Sequence, residues 1–183
     1  MSNLSTKPAF PEKIQRFNGH QIYQHLILFL SMFVLIVTGF AIKWVDMAWA
    51  QWVIGIFGSF GLMFKFHLYA GIVMLLAGAY HIVWMILNFT VSGPKWSMVP
   101  NLNDAKCLYY HALYLLRIRK DPPPYERYTY LEKFEYLAGG YGIILMGATG
   151  ALLWYPEVAA EWMPRWVIHM LRIAHSNEAI VAS

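Results

Sequence analysis

The stretch that most constrains this chain runs from Phe66 to Phe89, FHLYAGIVMLLAGAYHIVWMILNF, and holds no Lys, Arg, Asp or Glu. As a helix rising about 1.5 Å per residue, it is long enough to cross the roughly 30 Å hydrocarbon core of a bilayer. Two histidines interrupt it, His67 and His81. Their spacing sets them about 21 Å apart along the axis and within about 40° around it. Gly71 and Gly78 fall on the same stripe, so the face between the imidazoles is bare of bulk. Such a face suits two flat macrocycles stacked across a membrane.

Composition agrees with a membrane setting. Hydrophobic residues make up 58% of the 183 and charged residues only 13%, whereas soluble domains run near a quarter charged. A single cysteine, Cys107, excludes a disulfide framework, a cysteine-held iron–sulfur cluster and a C-x-x-C-H haem attachment. The net charge of +4 does not point to nucleic acid, because the cations cluster between apolar spans and serve membrane orientation. Residues 1–16 lack an apolar signal-peptide core, so the first span is expected to act as its own insertion signal.

The expected fold is an all-α integral membrane protein in a single domain, 1–183. It is a four-helix transmembrane bundle with spans at about 18–43, 59–89, 135–155 and 165–183, plus a cytoplasmic interfacial amphipathic helix. After a short polar tail, the first span closes on Lys43 and Trp44, a pair suited to the interface. VDMAWAQWVIGIFG, at 45–58, is too short to cross and suits the headgroup level. SGPKWS stops the second span. In the polar connection 90–134, Ala105, Leu108, Tyr109, Ala112, Leu113 and Leu116 recur at helical spacing, and the prolines at 122–124 end that helix. The third span is rich in Gly and Ala, which admit close packing of helices or a cofactor. The fourth, from Arg165, reaches only about 28 Å and stops without a polar flank, so a truncated helix or a missing continuation is expected.

Lys7, Lys13, Arg16, Lys95, Lys106, Arg117, Arg119, Lys120, Arg127 and Lys133 lie in the tail and the long connection, against Lys43, Lys65 and Arg165 opposite. The positive-inside rule therefore makes the N-terminus cytoplasmic.

Bis-histidine ligation of haem iron needs neutral imidazoles at matching depth on neighbouring helices. The matching depths pair His67 with His175 toward the outer face, and His25 with His81 toward the inner face. His169 is the fallback for His175. One histidine in an apolar helix is more often hydrogen-bonded to a neighbour than bound to metal. Four at matched depths are harder to dismiss, since each burial is costly without a partner. Arg172, Lys65 and Arg165 are candidates for a haem propionate, and Glu178 for accepting a proton or orienting an imidazole; Arg172 snorkelling outward is the plain alternative. His20 and His111 fall in interfacial or loop positions.

Several motifs resemble a known family: RF…HQIYQH with a following TGF, FHLYAG…YH, YTYLEKFEY and RIAHSNEA. The chain is similar to the membrane cytochrome b subunits of nickel–iron hydrogenases and formate dehydrogenases, and to related quinone-linked bacterial cytochromes b. The resemblance implies four helices around two haem b groups in the bacterial cytoplasmic membrane. It also implies a site for a quinone (menaquinone or ubiquinone) near the cytoplasmic haem. A periplasmic or peripheral redox subunit would dock on it: a multihaem cytochrome c, an iron–sulfur subunit, or a hydrogenase or dehydrogenase subunit. His25, His67 and His175 match family ligands. The family places the inner haem's second ligand on the fourth helix, beyond Ser183, so here either missing residues or His81 supply it.

The expectation is a transmembrane electron-transfer subunit of an oxidoreductase complex, with any quinone reductase or quinol oxidase half-reaction left open. Two rivals stand beside it: a haem-poor membrane anchor that binds only quinone, and a proton channel or transporter using the same histidines. Against the transporter stand the scarcity of intramembrane carboxylates and the lack of repeated broken helices.

Overall fold

A computed structural model describes residues 17–92, 98–124 and 126–181. The polar tail with Lys7, Lys13 and Arg16, the cation Lys95 and most of the SGPKWS break lie outside the described residues. The described residues form helices and no strands. In chain order these are α1 (Gly19–Lys43), α2 (Ala48–Ile56), α3 (Phe60–Ser92), α4 (Leu102–Leu115), α5 (Tyr130–Trp154), α6 (Pro156–Trp162) and α7 (Arg165–Val181). Three of them, α1, α3 and α5, are long and apolar enough to cross a membrane.

Local chemistry sets the boundaries. Asn18 caps α1 by accepting from the Gln21 amide while Gln21 Oε1 accepts from the Asn18 amide, both at 2.9 Å. The same reciprocal box, Thr129 with Glu132, starts α5 at Tyr130, a turn before the expected 135. Helix α4 ends well ahead of the prolines. Arg117 adopts a left-handed φ of 59°, and the Ile118 amide bonds back to the Leu113 carbonyl at 2.9 Å, a Schellman-type stop.

Helix α1 packs antiparallel on α3, α5 on α7, and α3 on α5. The packing is inverted relative to a soluble protein. Facing inward are Gln24, Ser31, Thr38 and Ala41 of α1, whereas Phe29, Leu30 and Phe33 are exposed. Water would penalise that surface and lipid does not, so the interior is free to use small and polar residues as helix contacts. Glycines serve the same end. A Cβ on Gly147 would collide with Leu75, and one on Gly78 would lie 3.2 Å from Ile143, so these two positions bring α3 and α5 together.

Helix α2 lies at the end of the bundle where α1 stops and α3 starts. Ala50 and Val53 join Ala41 and Met63 in the main apolar cluster, while Trp52 is exposed. At the opposite end, α4 turns its polar side inward. Lys133, only 1% exposed, bonds Asp104 at 2.9 Å and Glu126 at 3.1 Å. Cys107 Sγ reaches the Pro124 carbonyl at 3.4 Å. Leu108 and Tyr109 of α4, and Leu116 at its C-cap, face outward.

Candidate haem site

At the α2 end, α3 and α7 bring His67 and His175 together, with ring centroids 6.4 Å apart and planes at 73°. Each ring is held in the same manner by a different helix. Thr38 Oγ1 on α1 lies 2.9 Å from His67 Nδ1. Thr149 Oγ1 on α5 lies 2.9 Å from His175 Nδ1. The next residue in each case is a glycine. A Cβ added to Gly39 would lie 3.2 Å from His67 Cε1, and one added to Gly150 would lie 3.2 Å from His175 Cε1. Each imidazole edge therefore rests against bare backbone.

This pair fits the needs of a haem iron. Metal–imidazole bonds of about 2 Å on opposite sides of one iron put the two ring centroids about 6 Å apart, close to the spacing seen. Both rings are half-buried, and both Nδ1 atoms already have partners in the protein, leaving the Nε2 atoms for a metal.

A family model described as prokaryotic cytochrome b561 matches residues 16–182, nearly the whole chain. The chain belongs to that family. It is accordingly a membrane-helix, haem b electron-transport protein. No curated protein matches the chain.

The remaining candidate residues are placed differently. His81 has both ring nitrogens engaged, Nδ1 with Gln24 Oε1 and Nε2 with the Tyr136 hydroxyl, each at 2.8 Å. His25, next to Gln24 on α1, is exposed. The structure thus joins His81 to Gln24 and Tyr136, and does not join it to His25. One atom here is left over: Gln24 Nε2 is buried and has no hydrogen-bond partner among the described residues. A cleft of about 300 Å³ opens beside it between α1 and α3, lined by His20, Tyr23, Gln24, Val73, Ala77 and Tyr80. His169, Arg172, Arg165 and Lys65 are all exposed. Glu178 sits beside Gly142, midway along α5. His111 Nδ1 pairs with the Tyr130 hydroxyl at 2.7 Å.

Sequence reasoning missed Thr38, Thr149, Gln24, Tyr136 and Lys43. For the threonines a signal existed, since each is followed by glycine in a span and TGF was among the family-like motifs. Lys43 reads as an interface cation. Its ammonium instead reaches α7, 3.2 Å from both Ser176 Oγ and Asn177 Oδ1. Helical side chains point toward the N-terminus of their own helix, so a lysine in the last turn dips back into the bundle, next to His175. Lys133, counted in the sequence only among the orienting cations, is an ion-paired anchor.

Proposed function

We propose that this chain is a transmembrane electron-transfer subunit carrying two b-type haems between a redox partner on one side of the membrane and the quinone pool. The observation that carries it is the His67–His175 pair, at a spacing that suits one iron and with each Nδ1 already bonded. Haem iron, when bound, alternates between ferric and ferrous and so passes single electrons. His67 and His175 would hold the first haem, His25 and His81 the second. His81 would release the Tyr136 hydroxyl to free its Nε2. The two positions on α3 are separated by about 21 Å along the axis, so the haems form a relay across the bilayer.

In this reading the protein is a single domain with four membrane helices, α7 being the fourth, in the bacterial cytoplasmic membrane. The positive-inside rule puts the N-terminus and α4 in the cytoplasm. The exposed apolar side of α4 lies on the inner membrane surface. Arg172 and Lys65, exposed on α7 and α3, serve the propionates of the first haem. The quinone (menaquinone or ubiquinone) would bind toward the α4 end, where the α1–α3 cleft offers an apolar slot and Gln24 Nε2 a donor for a carbonyl oxygen. The redox partner docks at the α2 end.

Haem content per chain tests this reading. A pyridine haemochrome assay on purified protein should give about two haems, falling to about one in His67→Ala. An unchanged value in that variant overturns the ligand assignment. A one-haem version is favoured by one observation, the two protein bonds already made by His81. A content near one that does not move in His25→Ala selects it.

A further inference from the structure

We propose that Thr38-Gly39 and Thr149-Gly150 are twin clamps, positioning residues that fix the tautomer and the ring plane of His67 and His175. The inference rests on the reading that these two histidines hold iron, and it extends that reading from the ligands to what orients them.

The argument turns on one proton per threonine. Thr38 Oγ1 lies 2.6 Å from the Val34 carbonyl of its own helix, and Thr149 Oγ1 lies 2.7 Å from the Leu145 carbonyl. Two oxygens that close need a hydrogen between them, and the carbonyl has none to give. The hydroxyl proton therefore points along the helix in both cases. Facing the imidazole, the threonine oxygen can then act only as an acceptor. The contact at 2.9 Å consequently requires His67 Nδ1 and His175 Nδ1 to carry the hydrogen. That leaves Nε2 as the bare nitrogen of each neutral ring, the form an iron ligand must take.

The glycines complete the clamp. The same ring atom, Cε1, sits at the same 3.2 Å from the place of a Cβ on Gly39 and on Gly150. A methyl group there would make the ring give by a few tenths of an ångström, shifting it against the threonine oxygen or turning its plane. Helix α1 thus does for α3 what α5 does for α7. Each clamp sets one imidazole plane from its own helix, and together they hold the 73° angle between the planes. A donated Nδ1–H bond also makes the imidazole a stronger electron donor, which favours ferric iron.

Purified holoprotein with Thr38→Val or Thr149→Val tests the clamps, with Thr38→Ser, Thr149→Ser and His67→Ala alongside. The valine variants should lose haem about tenfold more readily. They should also raise the midpoint potential of the haem they touch, read by redox titration of the b-type absorbance. The serine variants, which keep the hydroxyl, should restore both. Gly39→Ala and Gly150→Ala should change the electron paramagnetic resonance anisotropy of the oxidised haem, which reports the ring planes, even where a valine variant fails to insert. Unchanged retention and potential in the valine variants, or equal shifts in valine and serine variants, overturn the clamps. So does unchanged anisotropy in both alanine variants. If His67→Ala still loses haem in such a case, ligation stands alone. Undiminished haem in His67→Ala overturns the ligation reading and the clamps with it.

Discussion

The two histidines of α3 occupy one stripe of one helix, yet their neighbours treat them differently. His67 is touched by a single hydroxyl at Nδ1 and faces a second imidazole. His81 is gripped on both nitrogens by an amide and a phenol. The α2 end thus presents rings with a nitrogen each in reserve, while the α4 end presents a polar network in which both His81 nitrogens are taken and only Gln24 Nε2 lacks a partner among the described residues. Helical spacing puts a histidine at the right depth. Whether its lone pair is available depends on what the facing helix carries at the same level: Thr38 opposite His67, Gln24 opposite His81.

Replacing ligands gives the largest effects on this contrast. His175→Ala should remove the haem of the α2 end and about half of the b-type absorbance, leaving a chain that still inserts. His81→Ala should remove a second share if that histidine is a ligand. Should its haem content instead stay level while the protein becomes less heat-stable, the network at the α4 end is structural. Tyr136→Phe sharpens the same question by freeing His81 Nε2: haem occupancy at the α4 end should hold or rise, and a fall would mean that the hydroxyl itself supports that site.

The junction between α4 and α5 should respond more modestly. Lys133→Met strips the bonds to Asp104 and Glu126, and because both carboxylates reach solvent the loss of stability should be small. Limited proteolysis between α4 and α5 should speed up roughly tenfold, and histidine-dependent haem at the α2 end should not change. Acid gives the smallest effect. Burial pushes the Asp104 carboxyl up, but the Asn101 backbone and Lys133 outweigh it and hold it below its usual range. Hydrogen bonds from Lys133 and Asn103 hold Glu126 low as well. Folded values below unfolded ones stabilise the junction above the ordinary carboxylate range near about 4 and are lost as pH falls through the lowered values. The protection of α4 amides, meaning exchange relative to the intrinsic rate at each pH, should therefore be steady near neutral pH and fall only as the pH drops through the lowered carboxylate range.

The sequence carried much of the fold because membrane helices announce themselves by length and hydropathy. The Thr129–Glu132 box that starts α5 is written in the chain, but the apolar run beyond it is the stronger signal and puts the expected start at 135. Lys133 shows the opposite limit. Its pairing with Asp104 joins positions far apart in the chain, which a count of cations in the connection does not show.

What the sequence by itself determined is the run of uncharged helices and the depth of each histidine on them, because rise per residue and bilayer thickness are fixed quantities. The same depths already put His175, ahead of His169, opposite His67. Only the tertiary structure decided that Thr38 and Thr149 take up the Nδ1 atoms, and that Gln24 and Tyr136 occupy His81. Those outcomes depend on which faces of neighbouring helices meet, and the rotation of each helix about its axis, which periodicity leaves open, decides which polar partner a histidine finds.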